Sequence, residues 1–151
     1  LENVFGRDAE NIDGRRLQSD VLLAKGDTKK AVELLERLDQ TYPDAPSIKY
    51  QLARAYLQNK NMNQAKLALD QAVSINPNYD DAVLLLAQVN LGTGHAEPVI
   101  EPMTRLLKKR PDLRNAALLL AGAYGSLDRF DDAAVATRDS ARPDLAPGEK
   151  K

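Results

Sequence analysis

The sequence predicts an all-α protein, a solenoid of antiparallel helix pairs, and three observations carry that expectation. Pro43, Pro77 and Pro111 stand 34 residues apart both times, and a fixed period of that size marks a repeat array. Stacked on the period, apolar residues fall into columns: Leu52-Ala53 and Tyr56, Leu86-Ala87, then Leu120-Ala121 and Tyr124. Within each period they recur three and four residues apart, the spacing of one helix face, as in Ala65, Leu69, Ala72 and Val73.

These columns set repeats at 12–45, 46–79, 80–113 and 114–147, each expected to hold two helices, with a tail at 148–151. Residues 1–11 read as the remnant of a preceding repeat or an N-terminal extension, because Leu1, Val4 and Phe5 fall where the second helix of such a repeat would end; a cloning remnant is the alternative. The first repeat supplies Leu22, Ala31, Leu35 and Leu38 but carries Gln18-Ser19 where the others carry Leu-Ala. Polar breaks separate the helices of each pair: Gly26-Asp27, Asn59-Lys60-Asn61, Thr93-Gly94-His95 and Leu127-Asp128-Arg129. Asp27 and Asn61 are expected to cap the helices that follow, since a short side-chain oxygen accepts unpaired backbone N–H groups. The proline near each repeat end disfavours helical geometry in the residue before it.

The third repeat carries Pro98 and Pro102 in its second helix, with Val99 in an alanine column. Pro102 removes a main-chain hydrogen bond, so a late start or a bend is expected there. In the last repeat Thr137 and Ser140 replace large apolar residues, as suits a terminal, capping repeat. Pro143, Pro147 and Gly148 leave a tail expected to fray.

The 34-residue period, the small residue in mid-first helix, the tyrosine three residues on and the alanine opening the second helix resemble the tetratricopeptide repeat. That resemblance implies a right-handed superhelical solenoid in which first helices line a concave groove, and a function in binding another protein or peptide. Ala53, Ala65 and Ala72 would lie where helices approach most closely, with Tyr56 and Leu69 filling the space they leave.

Composition excludes several other functions. Twenty-one Lys and Arg against 22 Asp and Glu leave no net footprint for nucleic acid or an anionic membrane. Residues 46–79 hold Lys49, Arg54, Lys60 and Lys66 against Asp70 alone, a small local excess. No apolar run approaches the roughly 18 residues of a membrane span, so no direct membrane insertion is expected from this segment. With no cysteine and a single histidine, His95, in a turn, transition-metal sites are not expected. Asp80-Asp81 and Asp131-Asp132 stand at helix starts, where they compensate the helix dipole. Gly122 and Gly125 lie in a helical stretch rather than after a strand, so they form no dinucleotide loop. No catalytic residue and no cofactor is assigned, and the compartment, cytoplasmic or periplasmic, stays undetermined.

The resemblance implies that the groove collects three columns of the first helices. These are Asp13, Arg16 and Asp20; Ser47, Tyr50 and Arg54; Asp81, Leu84 and Gln88; and Asn115, Leu118 and Gly122. Some relatives clamp a chaperone's terminal carboxylate with Lys and Asn; here those places hold Arg16 with Asp20 and Tyr50 with Arg54. Asp20 would repel a carboxylate. The reading is an adaptor or scaffold module of a longer bacterial repeat protein, with a self-associating structural array as the alternative.

Overall fold

A computed structural model describes the backbone of residues 2–141 and the side chains of 12–138. Among these residues the chain is all helix and turn: α1 (Glu2–Ala24), α2 (Thr28–Thr41), α3 (Pro46–Gln58), α4 (Met62–Ile75), α5 (Asp80–Gly92), α6 (Glu97–Lys109), α7 (Arg114–Ser126) and α8 (Phe130–Ala141). The backbone divides into two compact units, Leu1–Ala82 and Val83–Lys151.

Two kinds of turn alternate along the chain, and each follows from local chemistry. After a first helix the residue at 26, 60, 94 or 128 takes a left-handed conformation: Gly26 at φ 80°, Lys60 at 59°, Gly94 at 79° and Asp128 at 57°. The next N–H reaches back five residues, from Asp27 to the Leu22 carbonyl (2.9 Å), Asn61 to Tyr56, His95 to Asn90 and Arg129 to Tyr124 (each 2.8 Å). This reversal satisfies the carbonyls that a helix end leaves unpaired. After α2, α4 and α6 the proline acts instead. Tyr42, Asn76 and Arg110 each precede a proline and are forced out of the helix to φ −130°, −134° and −137°. Their carbonyls then accept from Ala45, Tyr79 and Leu113, closing a tight turn into the next helix.

Asn61 caps α4 as expected, its side chain accepting from the Gln64 N–H at 3.3 Å. Asp27 occupies the corresponding position before α2 but makes no side-chain cap bond. The helix α6 runs from Glu97, and Ala96 before it is already at helical angles (φ −80°, ψ −37°). Pro98 sits in its first turn and Pro102 inside it. The helix α1 runs unbroken from Glu2 to Ala24, with no turn near residue 12. The side chains of Leu1, Val4, Phe5 and Ser140, and the tail with Pro143, Pro147 and Gly148, lie outside the described residues.

In unit 1, α1 packs on α2, α2 on α3, α3 on α4, and α1 also reaches α3. Their shared core joins Leu23, Val32, Leu35 and Leu38 to Ile48, Leu52 and Ala55. Ala53, Ala65, Leu69 and Ala72 are fully buried, as small residues at close helix approaches must be. Ser19 takes the alanine column of α1; it is fully buried, and its hydroxyl donates to the Arg16 carbonyl at 2.6 Å. Lys49, one of the local basic excess, is not a surface charge. It is buried, with its Nζ 2.8 Å from Asp39 of α2. Tyr56 packs beside the same core and donates its hydroxyl to Glu36 at 2.6 Å. In unit 2, α7 packs on both α6 and α8, around Val99, Met103, Leu106, Ala116 and Leu120.

Candidate partner-binding face

In an α-helix, residues spaced three, four and seven apart share a face. Asp13, Arg16 and Asp20 therefore line up along α1, and Ser47, Tyr50 and Arg54 along α3. Unit 1 brings most of them together. The Arg54 guanidinium lies 3.2 Å from Asp20 across the two helices and donates to Gln51 Oε1 at 2.8 Å. Arg16 pairs with Asp13 at 3.5 Å on α1 itself. Between exposed groups such ion pairs add little stability, but they fix where the guanidinium points.

Tyr50 is half-buried, and its ring meets that of Tyr79 at 5.3 Å between centroids, tilted by 57°. Tilted aromatic contacts of this kind are favourable. Burial pushes the Tyr79 phenol up from its ordinary value, with Tyr50 and Asp81 adding to the rise and Arg16 and Arg54 opposing it. One face thus gathers a tyrosine pair, two guanidiniums and the carboxylates of Asp13, Asp20 and Asp81. Beside it, Asp20, Leu23, Ala24, Arg54 and Gln58 line an open depression of about 430 Å³. Ser47 is half-buried near the start of α3.

Tyr79 was not in the sequence-based set. It sits in the turn before α5, in a column with Ala45 and Leu113 that precedes the helices. An aromatic replacing a smaller aliphatic in that column was the available signal.

In unit 2, α5 holds Leu84 half-buried and Gln88 exposed, and α7 holds Asn115, Leu118 and Gly122 exposed. Leu118 is an apolar side chain left 59% exposed. A Cβ at Gly122 would lie 3.5 Å from the Leu91 side chain, so α5 and α7 approach closely there. Among the described residues, no group of three or more His, Asp or Glu is placed to hold a metal ion. No described helix is long and apolar enough to cross a membrane.

Known proteins carry the same architecture. The chain is similar to a crystal structure of MamA with a TM-score of 0.78 at 20% identity, covering 93% of this chain and 82% of that one. MamA from Desulfovibrio magneticus gives 0.78 at 19%, covering 87% and 75%. The first TPR of Spaghetti bound to the HSP90 peptide SRMEEVD gives 0.69 at 18%, covering 76% and 90%. In sequence, the chain is 28% identical over 111 residues to lipopolysaccharide assembly protein B of Haemophilus influenzae. That match takes in 69% of this chain and spans only 28% of the relative. The tetratricopeptide repeat model matches residues 22–88. The period and the helix pairs agree with the tetratricopeptide repeat that the family model finds at residues 22–88, and the solved neighbours share that fold.

Proposed function

We propose that the chain is an adaptor or scaffold module that captures a segment of another protein on the first-helix faces, with Tyr50 as the anchor in unit 1. The observation that carries this reading is the ordered but accessible cluster of Tyr50, Tyr79, Arg16 and Arg54. Arg54 is already held by Asp20 and Gln51, so binding would not have to immobilise it, and side-chain ordering is one of the main costs of association. A half-buried tyrosine already in contact with a second ring suits an interface hot spot. In unit 2, Leu84 and Leu118 offer apolar contact on the corresponding columns.

The fold accommodates a peptide in the Spaghetti structure, whose ligand is the acidic SRMEEVD. The chemistry here favours a different sequence. Asp13, Asp20 and Asp81 against Arg16 and Arg54 leave three negative charges facing two positive ones. A segment with basic and apolar side chains meets this face better than an acidic tail.

Photo-crosslinking in extract of the source cells tests the proposal. A photoreactive residue at position 50 or 84 should yield a partner adduct. The same residue at Leu67, an exposed site on α4, should not. In the isolated complex, Tyr50→Ala should weaken binding at least tenfold with the helical spectrum unchanged, the loss expected of a hot spot. Adducts from position 67 alone would move the site to the second helices and overturn the assignment, and adducts between copies would favour the self-associating array.

A further inference from the structure

The depression beside the tyrosine pair is walled by α1 and α3, helices of this chain that pack on one another. Ala24 stands one period before Gln58, so α1 carries only a methyl group in the column where α3 carries a carboxamide. Gln58 bridges the two helices, its Nε2 donating to the Leu23 carbonyl at the end of α1 at 2.9 Å. That bond orients the carboxamide and leaves its Oε1 as a spare acceptor. Arg54 uses Nη1 alone for both of its bonds, to Asp20 Oδ1 at 3.2 Å and to Gln51 Oε1 at 2.8 Å. Among the described residues, the other Arg54 nitrogens, the second Asp20 carboxylate oxygen and Gln58 Oε1 have no protein partner.

We infer that this depression is a specificity pocket for a carboxamide side chain, glutamine or asparagine, of the segment captured on the neighbouring face; the inference rests on that capture. Donors and acceptors decide the occupant. A carboxamide brings two N–H donors and one carbonyl acceptor. The depression offers the complement: acceptors at Asp20 and Gln58, and guanidinium donors at Arg54. A carboxylate would meet the like charge of Asp20, and a lysine or arginine that of Arg54, so both are selected against. An aliphatic side chain would cover the same polar groups and leave them unpaired, which is costly. Leu23 and Ala24 supply apolar contact for the methylenes of the incoming side chain. Asp20, Arg54 and Gln58 are each already held by a hydrogen bond, so binding orders little that is not ordered beforehand. Asp13 and Asp81 still favour basic residues elsewhere along the segment, whereas the depression itself balances one carboxylate against one guanidinium.

The probe is a displayed library of random dodecapeptides selected on the full chain. Enriched peptides should share a glutamine or asparagine at one position. In a synthetic peptide of that sequence, replacing this residue by the isosteric acid, or by lysine, should weaken binding by about tenfold or more in fluorescence anisotropy, as a site built to pair an amide requires. Asp20→Asn removes the repelling carboxylate, so the preference for amide over acid should fall below about threefold. Circular dichroism would confirm the fold of that variant. Tyr50→Ala should weaken the amide and acid peptides by the same factor and leave the preference intact. Peptides that need Tyr50 but share no carboxamide, or that carry lysine or arginine in its place, overturn the inference and leave capture on the face standing. A preference that Asp20→Asn does not move overturns it likewise. No enriched peptide, or peptides indifferent to Tyr50→Ala, overturns both readings.

Discussion

Lys60 and Asp128 do at positive φ what Gly26 and Gly94 do in the other two turns. A side chain in the left-handed region costs roughly 1–2 kcal/mol, while glycine surrenders roughly 0.5–1 kcal/mol of backbone entropy. Lys60→Gly should therefore stabilise the fold by about 0.5–1 kcal/mol in urea denaturation. Asp128→Gly should gain less, because a short polar side chain tolerates this conformation better. A second residue-scale prediction concerns Tyr56. Burial, the hydrogen bond to Glu36 and the charges of Glu36 and Asp39 push its phenol from 10.0 up to about 12. A raised acid holds its proton in the fold after the unfolded chain has released it. Its contribution is complete below pH 10 and is lost as pH rises through about 12. Tyr56→Phe should flatten the alkaline loss of stability across that window, and phenolate absorbance should lose its latest-titrating phase.

At the scale of the helix, the alanine columns decide how closely neighbours pack. Ala65 and Ala72 of α4 are fully buried. Ala65→Leu or Ala72→Leu should each cost about 1–3 kcal/mol through overpacking. His95→Ala, at an exposed turn, should stay within about 0.5 kcal/mol; chemical denaturation of the three variants compares them directly. The helix-pair fold was legible because prolines and small residues act locally: Pro43, Pro77 and Pro111 stop helices whatever surrounds them. Tertiary roles were less legible. The charge of Lys49 suggested surface until α2 placed Asp39 beside it. Gln18-Ser19 read as a poor match, yet Ser19 is buried like the alanines because its hydroxyl is satisfied within its own helix. For the candidate face, the columns gave Tyr50, Arg54 and Asp20. They missed Tyr79, whose turn returns it to the Tyr50 ring by a path that helix periodicity does not describe.

At the scale of the whole molecule, the outer faces of α1 and α8 differ in kind. One leaves Leu17 and Val21 bare; the other turns Thr137 outward, its hydroxyl donating back to the Ala134 carbonyl at 3.1 Å. Exposed apolar surface invites association, so Thr137→Leu should show an average mass in light scattering that climbs with concentration more steeply than that of the parent chain.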